Sequence, residues 1–368
     1  MVKSKYYSLA KIQKKNADYN IIFGERSNGK TYACLEMALR RYVETGEQTA
    51  YLRRWREDLR GKRGESLFSG HVNNGLIEKL TDGKFNSVLY FSSKWFLCYY
   101  DQEQNKRIPD DKPFCFGFAL SEQEHEKSSS FPDVTTIIFD EFLTRRYYLP
   151  DEFILFMNLL STIIRQRDNV KVYMLGNTVN KYCPYFSEMG LKKIPEMTQG
   201  TIDMYYFGDG GAIVAVEYTA DTSSKKESNK YFCFDSPELQ MITGGKWELA
   251  IYPHLPMKYK PKDVLLIYYI EFQDVVLQGN IIYKDGHDFT YIHPKTTPIK
   301  ENNKNIVYSL KPDSRPNYKR RLLSHSNQLE TRIASYYVRE KVFYQSNEVG
   351  EVVRNYIITS QKNNVISV

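Results

Sequence analysis

Eight consecutive residues, 24–31, have the composition and spacing of a loop that holds phosphate groups. They spell GERSNGKT and fit the pattern Gly-x-x-x-x-Gly-Lys-Ser/Thr without a departure. The glycines let the backbone curl so that N–H groups face a phosphate, the lysine supplies positive charge, and the hydroxyl can bind Mg²⁺. We therefore predict a site for ATP with Mg²⁺, rather than an ordinary glycine-containing turn. Its predicted nucleotide-binding residues are Gly24, Glu25, Arg26, Ser27, Asn28, Gly29, Lys30 and Thr31.

Two adjacent carboxylates, Asp140 and Glu141, follow an apolar run, VTTIIF, at residues 134–139. A carboxylate at the end of a strand can help a threonine hydroxyl to hold Mg²⁺, and we predict Thr31 and Asp140 as the metal site. A second carboxylate can orient and deprotonate the water that attacks the γ-phosphate, which is the role predicted for Glu141. The pair predicts a P-loop ATPase of the additional-strand, catalytic-glutamate class. The alternative is a strand that merely ends in two carboxylates.

Three further polar side chains stand where they can serve hydrolysis. Asn177 ends the apolar run VYMLGN and is predicted to contact the γ-phosphate, with a simple turn asparagine as the alternative. Arg165 and Arg167 end a segment of helical spacing. An arginine there cannot easily reach the nucleotide of its own subunit, but it can enter a neighbour's site as an arginine finger. The alternative is a cation that favours the helix dipole.

A dense basic stretch that includes Trp55 follows the second predicted strand. Its cations are Arg53, Arg54, Arg56, Arg60, Lys62 and Arg63. Lysine and arginine bind phosphates without reading bases, which suits contact with duplex DNA of any sequence. We predict that Arg56, Arg60, Lys62 and Arg63 bind DNA, with a solvated surface loop as the alternative.

The elements that must position these residues alternate between strand-like and helix-like segments up to about residue 200, which predicts an α/β core with a mainly parallel sheet. The predicted strands of this core cover 19–23, 49–53, 134–139 and 170–175, and the predicted helices cover 30–45 and 153–165. The spans 88–100 and 114–120 are predicted as antiparallel strands, and 56–75 as a surface loop or mobile insert. Later segments predict a meander of strands at 264–272, 275–283 and 289–292, with turns at 279–280 or 285–286, and then a helix over 326–344.

Length and composition favour two domains. The chain has 368 residues, whereas single cores stop growing at about 250–300 residues. We predict an ATPase domain over residues 1–200, a linker or lid over 201–240, and a smaller α+β domain over 241–368. No apolar run approaches a membrane span, so no membrane contact is expected. The five cysteines lack zinc spacing, which favours reduced thiols.

The net charge of +7 is concentrated near one end of the sequence. The tail from Lys295 to Val368 carries 13 Lys/Arg against six Asp/Glu. A basic tail on a neutral body predicts a polyanion or an acidic partner at that end. The alternative is a solvated basic surface.

Four segments in order resemble one known family: IIFGERSNGKTY, GEQTAYLRRWREDL, LSEQEHEKSSSFPDVTTIIFDEF and LLSTIIRQRDNVKVYMLGNTVNKYCPYF. Residues 15–195 resemble the genome-packaging ATPases of small podophages with protein-primed linear double-stranded DNA genomes. The resemblance implies a homo-oligomeric ring, usually a pentamer, that docks on the portal (connector) of a procapsid and pumps double-stranded DNA inward. It implies work in the host cytoplasm, transient attachment to the procapsid, absence from the mature virion and, in some members, contact with a scaffold RNA.

Carried over by position, the resemblance implies catalytic roles in addition to the phosphate loop. It implies that Glu141 is the catalytic carboxylate and that Arg167 is the trans-acting finger, with Arg165 as its neighbouring alternative. It also implies that Lys127 acts across the subunit interface. Arg56 falls where the family has a lysine, so the charge is kept and the geometry changed.

The C-terminal domain is implied to resemble a degenerate RNase-H-type nuclease that docks rather than cuts. An active nuclease would need carboxylates to converge on metal ions, for which Glu271, Asp274, Asp285 and Asp288 are the candidates. The alternatives to a packaging motor are a terminase with an active nuclease, a helicase-like ATPase, a small-molecule kinase, and a docking module that hydrolyses nothing.

Overall fold

The computed structural model describes residues 7–101, 103–122, 130–145, 148–208, 211–220, 247, 250–255 and 257–361. The chain divides into two compact units, Met1–Glu248 and Leu249–Val368. The predicted linker over 201–240 is wrong in its first part, because Ile202–Tyr206 and Ile213–Tyr218 are strands of the first unit. The rest of that predicted linker, from residue 221 onward, lies outside the described residues.

The first unit is built on one sheet, to which its described part contributes ten strands. In chain order they are β1 (Tyr19–Gly24), β2 (Gln48–Arg53), β3 (Ser87–Phe91), β4 (Lys94–Asp101), β5 (Lys106–Pro109), β6 (Cys115–Ala119), β7 (Val134–Asp140), β8 (Lys171–Asn177), β9 (Ile202–Tyr206) and β10 (Ile213–Tyr218). Across the sheet the order is β3-β4-β6-β2-β7-β8-β1-β10-β9, and β5 pairs with β4. In this sheet order, the six neighbouring strands from β6 across to β10 all pair in parallel, as predicted.

The central strands are rich in apolar and β-branched residues because both faces of a parallel sheet are covered. Every residue of β7 is buried, and β1 and β8 are buried over most of their length. β8 lies between β1 and β7, so the strand that leads into the phosphate loop does not pair with the strand that ends in Asp140. This interposed strand is the feature expected of the additional-strand class, and the predicted fold class is confirmed.

Helices cover the faces of this sheet. In the described part of the first unit they are α1 (Ala10–Gln13), α2 (Lys30–Thr45), α3 (Lys62–Ser66), α4 (Ser69–Asn73), α5 (Leu76–Leu80), α6 (Glu152–Ile164) and α7 (Pro184–Glu188). The predicted helices at 30–45 and 153–165 correspond to α2 and α6. α2 runs between Gly29 and Gly46, whose φ angles of 96° and 76° suit glycine at both ends.

The predicted surface loop over 56–75 is instead a folded segment. A 3₁₀ turn at Arg56–Asp58 precedes α3, α4 and α5, and we call residues 56–80 the helical insert. The insert is ordered because apolar side chains recur along it and pack into the core: Leu59, Phe68 and Ile77 are buried. The prediction failed because the stretch is mostly polar or glycine, so its few apolar residues do not stand out as a core-facing pattern.

The predicted strand over 88–100 is a hairpin of two strands, β3 and β4. Ser92 and Ser93 form its turn with φ angles of 48° and 57°. β6 pairs antiparallel with β4, as predicted for the 114–120 span, and parallel with β2 on its other side.

The second unit contains a smaller mixed sheet. Its described elements are β11 (Val264–Phe272), β12 (Val275–Lys284), β13 (His287–Pro294), β14 (Val307–Ser309), β15 (Tyr318–Lys319), β16 (Val342–Tyr344), α8 (Gln328–Val338) and α9 (Asn347–Gln361). The order is β15-β14-β11-β12-β13-β16. β11, β12 and β13 form the predicted antiparallel meander, and β14 and β15 extend it in parallel beside β11.

Two local predictions for the second unit need correction. Gly279 and Asn280 lie inside β12, where an added Cβ at Gly279 would collide with the Tyr268 ring. The turn is the other predicted site, at Asp285 and Gly286, where both φ angles are positive. The predicted helix over 326–344 ends at Val338, and the residues that follow form β16.

Candidate nucleotide-hydrolysis site

The predicted hydrolytic side chains meet at one edge of the sheet. In the strand register Gly24 pairs with Asn177 across β1 and β8, and Asp140 pairs with Leu175 across β7 and β8. Arg53 ends β2, which is the neighbour of β7 on its other side. Because these strands are parallel, their carboxyl ends all lie on the same edge, which is where α/β sheets bind ligands.

The phosphate loop is fastened to the last parallel strand. Asn28 Nδ2 donates to Thr219 Oγ1 at 3.1 Å, and Thr219 directly follows β10. A side chain at Gly24 would collide with that same threonine hydroxyl, which explains the need for glycine. A cavity of about 450 Å³ opens beside the loop; its lining includes residues 26–32, Asp140, Glu141 and Asn177.

Lys30 is buried and held by oxygen atoms of the loop. Its Nζ donates to the Glu25 carbonyl at 2.5 Å and to Asn28 Oδ1 at 3.2 Å, and it lies 3.5 Å from Asn177 Oδ1. Burial lowers the pKa of Lys30 to about 8, although Asp140 and Glu25 oppose this shift. A bound phosphate would replace these neutral acceptors with negative charge and so favour the ammonium form. Of the predicted loop residues, Gly24 and Glu25 do not line the cavity but shape it from behind.

Thr31 and Asp140 fit the predicted magnesium site. Thr31 Oγ1 lies 3.2 and 3.3 Å from the two Asp140 carboxylate oxygens, so three hard oxygen donors converge. Tyr51 donates a hydrogen bond of 2.9 Å to the same carboxylate. Burial raises the pKa of Asp140, while Arg53, Tyr51 and Thr31 act in the opposite direction. Oxygen donors of this kind are the ligands that Mg²⁺ prefers.

Glu141 is held by Arg53, which was predicted as part of the basic stretch rather than of the hydrolytic site. Arg53 Nη2 lies 2.7 Å from Glu141 Oε2, and Arg53 Nη1 lies 3.5 Å from Asp140 Oδ2. Burial alone would lower the pKa of Arg53, but the facing Tyr51, Asp140 and Glu141 outweigh it and raise the pKa. Glu141 itself has a φ of 57°, a conformation that costs free energy outside glycine and is concentrated at functional sites. The sequence signal that could have placed Arg53 in the site is its position as a charged residue at the end of β2.

Arg54 also belongs to the sheet edge rather than to a DNA track. Its guanidinium makes two hydrogen bonds of 2.8 and 2.9 Å with the buried carboxylate of Glu152 on α6. It donates as well to the carbonyls of Glu141 and Phe142, at 3.2 and 2.7 Å. Tyr185 donates to the same Glu152 at 2.9 Å. This buried network fixes the turn that carries Glu141.

Arg167 binds main-chain carbonyls of its own subunit. Its guanidinium donates at 2.6–3.2 Å to the carbonyls of Phe131, Pro132, Val134, Ile163 and Ile164. These contacts tie the end of α6 to the segment that enters β7. Arg165, two residues earlier, is exposed and has a φ of 54°. Lys127 lies outside the described residues.

The four predicted DNA-binding cations, Arg56, Arg60, Lys62 and Arg63, are all exposed on the helical insert. Arg56 pairs with Glu122, and Arg63 pairs with Asp58 at 3.2 Å. The four cations are therefore at the surface, although the helical insert as a whole carries five Lys/Arg against four Asp/Glu.

The second unit offers no metal cluster among the residues that the structure describes. Asp288 is paired with Lys341 and Arg339 at 2.8 and 3.1 Å. The hydrogen bond from Lys341, supported by Arg339, lowers the pKa of Asp288 to about 2. Glu271 on β11 lies in register with Ser309 on β14 rather than with a second carboxylate. Among the described helices, none has the length and apolar character that a membrane crossing requires.

The family model of the Podovirus DNA encapsidation protein (Gp16) matches residues 1–74 and 102–232, which together make up more than half of the sequence. The chain belongs to this family. The match includes the phosphate loop, Asp140, Glu141 and the helical insert up to residue 74. The resemblance predicted from the four sequence segments is thus confirmed.

Relatives known as DNA packaging proteins come from Bacillus phages. The DNA packaging protein of phage phi29 is 26% identical over 234 residues, which are 63% of this chain and 62% of the relative. That of phage B103 is 30% identical over 183 residues, 49% of this chain and 50% of the relative. The chain thus matches less than two thirds of the length of these relatives.

Two solved assemblies share the fold over nearly all of the chain. The packaging motor assembly of bacteriophage Phi-29 has a TM-score of 0.54 at 20% identity, covering 96% of this chain and 97% of that chain. The DNA packaging motor of Phi-28 has a TM-score of 0.51 at 17% identity, covering 96% and 98%. At these identities the likeness concerns the fold, including that of the second unit.

Proposed function

We propose that this chain is an ATP-driven motor that translocates double-stranded DNA into a viral procapsid. The observation that carries the proposal is the convergence, at one sheet edge, of the phosphate loop, the Thr31–Asp140 pair and Glu141 held by Arg53. Four exposed cations at residues 56–63 follow Arg53 closely in sequence, which supports a nucleic acid as the substrate. Family membership and the names of the Bacillus phage relatives support duplex DNA and packaging.

The chain's own groups account for hydrolysis of ATP. Backbone N–H groups of the loop and Lys30 bind the β- and γ-phosphates, and Asn177 lies close enough to Lys30 to contact the γ-phosphate. Thr31 and Asp140 would hold Mg²⁺, which when bound offsets the negative charge of the phosphates. Glu141 accepts a proton from water as the water oxygen attacks the γ-phosphorus. The bond from that phosphorus to the β–γ bridging oxygen breaks, and ADP and inorganic phosphate leave.

We propose a ring of identical subunits, five in number, that shares each hydrolytic site between neighbours and docks on the portal. In this arrangement the cation supplied in trans is Arg165, because Arg167 already serves five carbonyls within its own subunit. Lys127 is retained as a second trans-acting cation on the family resemblance. The basic second unit is proposed to face the portal and, where one is used, a scaffold RNA.

Substitution of each arginine in turn distinguishes a cation that acts on a neighbour's site from one that stabilises its own subunit. We expect Arg165→Ala, which truncates an exposed side chain, to lower the free energy of unfolding less than Arg167→Ala does, and to lower ATP turnover of the assembled ring about 1,000-fold or more. We expect Arg167→Ala to lower the free energy of unfolding by about 1–3 kcal/mol, since several carbonyls lose a charged donor. Urea unfolding and turnover on portal-bearing procapsids measure the two effects. Loss of assembled turnover by a stably folded Arg167→Ala protein alone would reverse the assignment.

The proposed substrate is tested by ATP turnover with and without duplex DNA. We expect duplexes of unrelated sequence to stimulate turnover equally, because phosphate contacts carry no base information. We also expect the stimulation to fall steeply with salt, since cations that bind phosphates release counterions. Transfer of phosphate to a nucleoside without release of inorganic phosphate would favour a kinase instead.

A further inference from the structure

Tyr32 carries the only aromatic ring that lines the cavity beside the phosphate loop, in the part of the chain that the structure describes. It directly follows Thr31 and is the third residue of α2. Apart from Leu175, the other described lining residues are polar, charged or glycine. A nucleotide brings a flat base as well as phosphates to its site, and an aromatic ring is the side chain on which bases stack.

His71, on α4 of the helical insert, covers one face of the Tyr32 ring. The two ring centroids lie 3.9 Å apart and the ring planes differ by 11°, so the rings are stacked. His71 is 1% exposed, and its Nε2 lies 3.1 Å from the main-chain carbonyl oxygen of Tyr32. Asn74, the residue that follows α4, donates from Nδ2 to the Tyr32 hydroxyl at 3.2 Å. The insert thus fixes one face and the tip of the ring.

The contacts of His71 indicate a neutral imidazole. Nε2 must carry a hydrogen to donate to the Tyr32 carbonyl, and Nδ1 has no hydrogen-bond partner among the described residues. Burial lowers the pKa of His71, although the Tyr32 carbonyl and Glu36 act in the opposite direction. The insert therefore braces Tyr32 without adding a charge that would compete with the loop for phosphate.

The surroundings of the loop favour the Tyr32 side for the base. The first N–H groups of a helix have no intrahelical acceptor and can bind phosphate, and Tyr32 contributes one of them at the start of α2. On the β10 side of the loop the chain bonds to itself. There the Tyr7 N–H donates to the Asn28 carbonyl at 2.9 Å, and the Tyr7 hydroxyl donates to the buried Glu217 at 2.6 Å. Neither Tyr7 nor Glu217 belongs to the described lining of the cavity.

We propose that the face of Tyr32 turned away from His71 is the base subsite of the nucleotide cavity, and that His71 is a positioning residue that holds the ring. The inference rests on the proposed function and concerns the part of the nucleotide that the phosphate loop does not bind. Stacking uses the π-face that every base has, so the subsite accepts ATP, GTP, CTP and UTP and favours the larger purines. The base contact is the same before and during hydrolysis, because the reaction takes place at the γ-phosphate.

Loss of the ring is expected to weaken the binding of nucleotides but not of a ligand without a base. Tyr32→Leu keeps an apolar side chain and the main-chain N–H, so inorganic tripolyphosphate with Mg²⁺ should bind as it does to wild type. ATP with Mg²⁺ should bind about 5-fold to 50-fold more weakly, the size of one base–aromatic stack. KM should rise by a similar factor with kcat almost unchanged, because the ground state and the transition state lose the same contact.

Substitution of His71 tests the positioning role. His71→Leu removes the stacked partner and leaves Tyr32 in place, so ATP should bind about twofold to tenfold more weakly, while tripolyphosphate should bind as before. Tyr32→Phe keeps the ring and loses only the hydroxyl that Asn74 contacts, so it should bind ATP nearly as wild type does. A general loosening of the phosphate loop would weaken both ligands alike. The ratio of the two dissociation constants therefore separates positioning of the ring from support of the fold.

The experiment measures equilibrium binding of ATP, CTP and tripolyphosphate, each with Mg²⁺, to the full chain by titration calorimetry. Tyr42→Leu is the matched control, because it makes the same exchange on α2 at a tyrosine whose hydroxyl binds Asp110 instead. This control should match wild type for all three ligands. In Tyr32→Leu we expect the preference for ATP over CTP to shrink as well.

Failure of the subsite and failure of the motor give different results. If Tyr32→Leu binds ATP as tightly as wild type, or loses as much affinity for tripolyphosphate as for ATP, the base subsite is overturned while the proposed motor stands. If the binding ratios follow the expectation but wild type moves no DNA into procapsids, the proposed function is overturned. The base subsite stands in that case, since equilibrium binding alone measures it.

Discussion

Glu141→Gln is expected to lower ATP turnover by about 100-fold to 10,000-fold, which is the usual contribution of a positioned general base. The amide cannot accept the proton of the attacking water, whereas its size and position are nearly those of the carboxylate. Nucleotide affinity should stay close to wild type, because the phosphate loop and Lys30 are untouched. Turnover and binding of a fluorescent ATP analogue, measured on the same preparations, separate the two effects.

The matched control for this substitution is Glu44→Gln, which changes an exposed glutamate on α2, away from the sheet edge. It should leave turnover at the wild-type level. A Glu141→Gln protein that hydrolyses ATP as fast as the control would remove Glu141 from the mechanism. Asp140 would not inherit the role of base in that case, because its carboxylate is already bound by Thr31 and Tyr51.

Glu152→Ala is expected to lower the free energy of unfolding of the first unit by about 3–5 kcal/mol, the cost of breaking a buried ion pair from one side. The Glu152 side chain has no exposed surface and that of Arg54 is 6% exposed, so the remaining guanidinium would be a buried charge without its partner carboxylate. Tyr185 and the Leu149 N–H would lose an acceptor as well. The turn that carries Glu141 should loosen, because Arg54 also braces it.

Tryptophan fluorescence during urea unfolding measures this loss in the full chain. The three tryptophans of the sequence, Trp55, Trp95 and Trp247, all fall within the first unit, so the signal reports on that unit alone. The control is Glu36→Ala, which breaks an exposed i,i+4 pair with Arg40 and should cost at most about 0.5 kcal/mol. Equal losses in the two variants would show that the buried pair does not brace the fold.

The sequence was sufficient for those parts of the site that are contiguous in the chain. The phosphate loop and the Asp140–Glu141 pair could be predicted because their spacing is fixed by covalent connection, and the runs before them have the apolar character of buried strands. β8 could be predicted as a strand for the same reason.

The contacts that join distant segments could not be predicted. Arg53 and Arg54 were grouped with the basic stretch because they precede it, yet the pairing of β2 with β7 brings them to Glu141 and Glu152. Arg167 was predicted to act in trans on a neighbour's site, but its guanidinium donates to carbonyls of its own subunit, including residues more than 30 positions earlier. Periodicity also could not detect that Gly279 packs against a tyrosine ring inside a strand.

We propose that ATP hydrolysis by this chain moves double-stranded DNA into a procapsid. The most direct measurement incubates the full chain with ATP, duplex DNA and empty procapsids that carry the portal, and then quantifies the DNA that survives DNase. We predict ATP-dependent protection of full-length DNA by wild type and none by Glu141→Gln. Rapid ATP hydrolysis on these procapsids, with all of the DNA still sensitive to DNase, would contradict the claim.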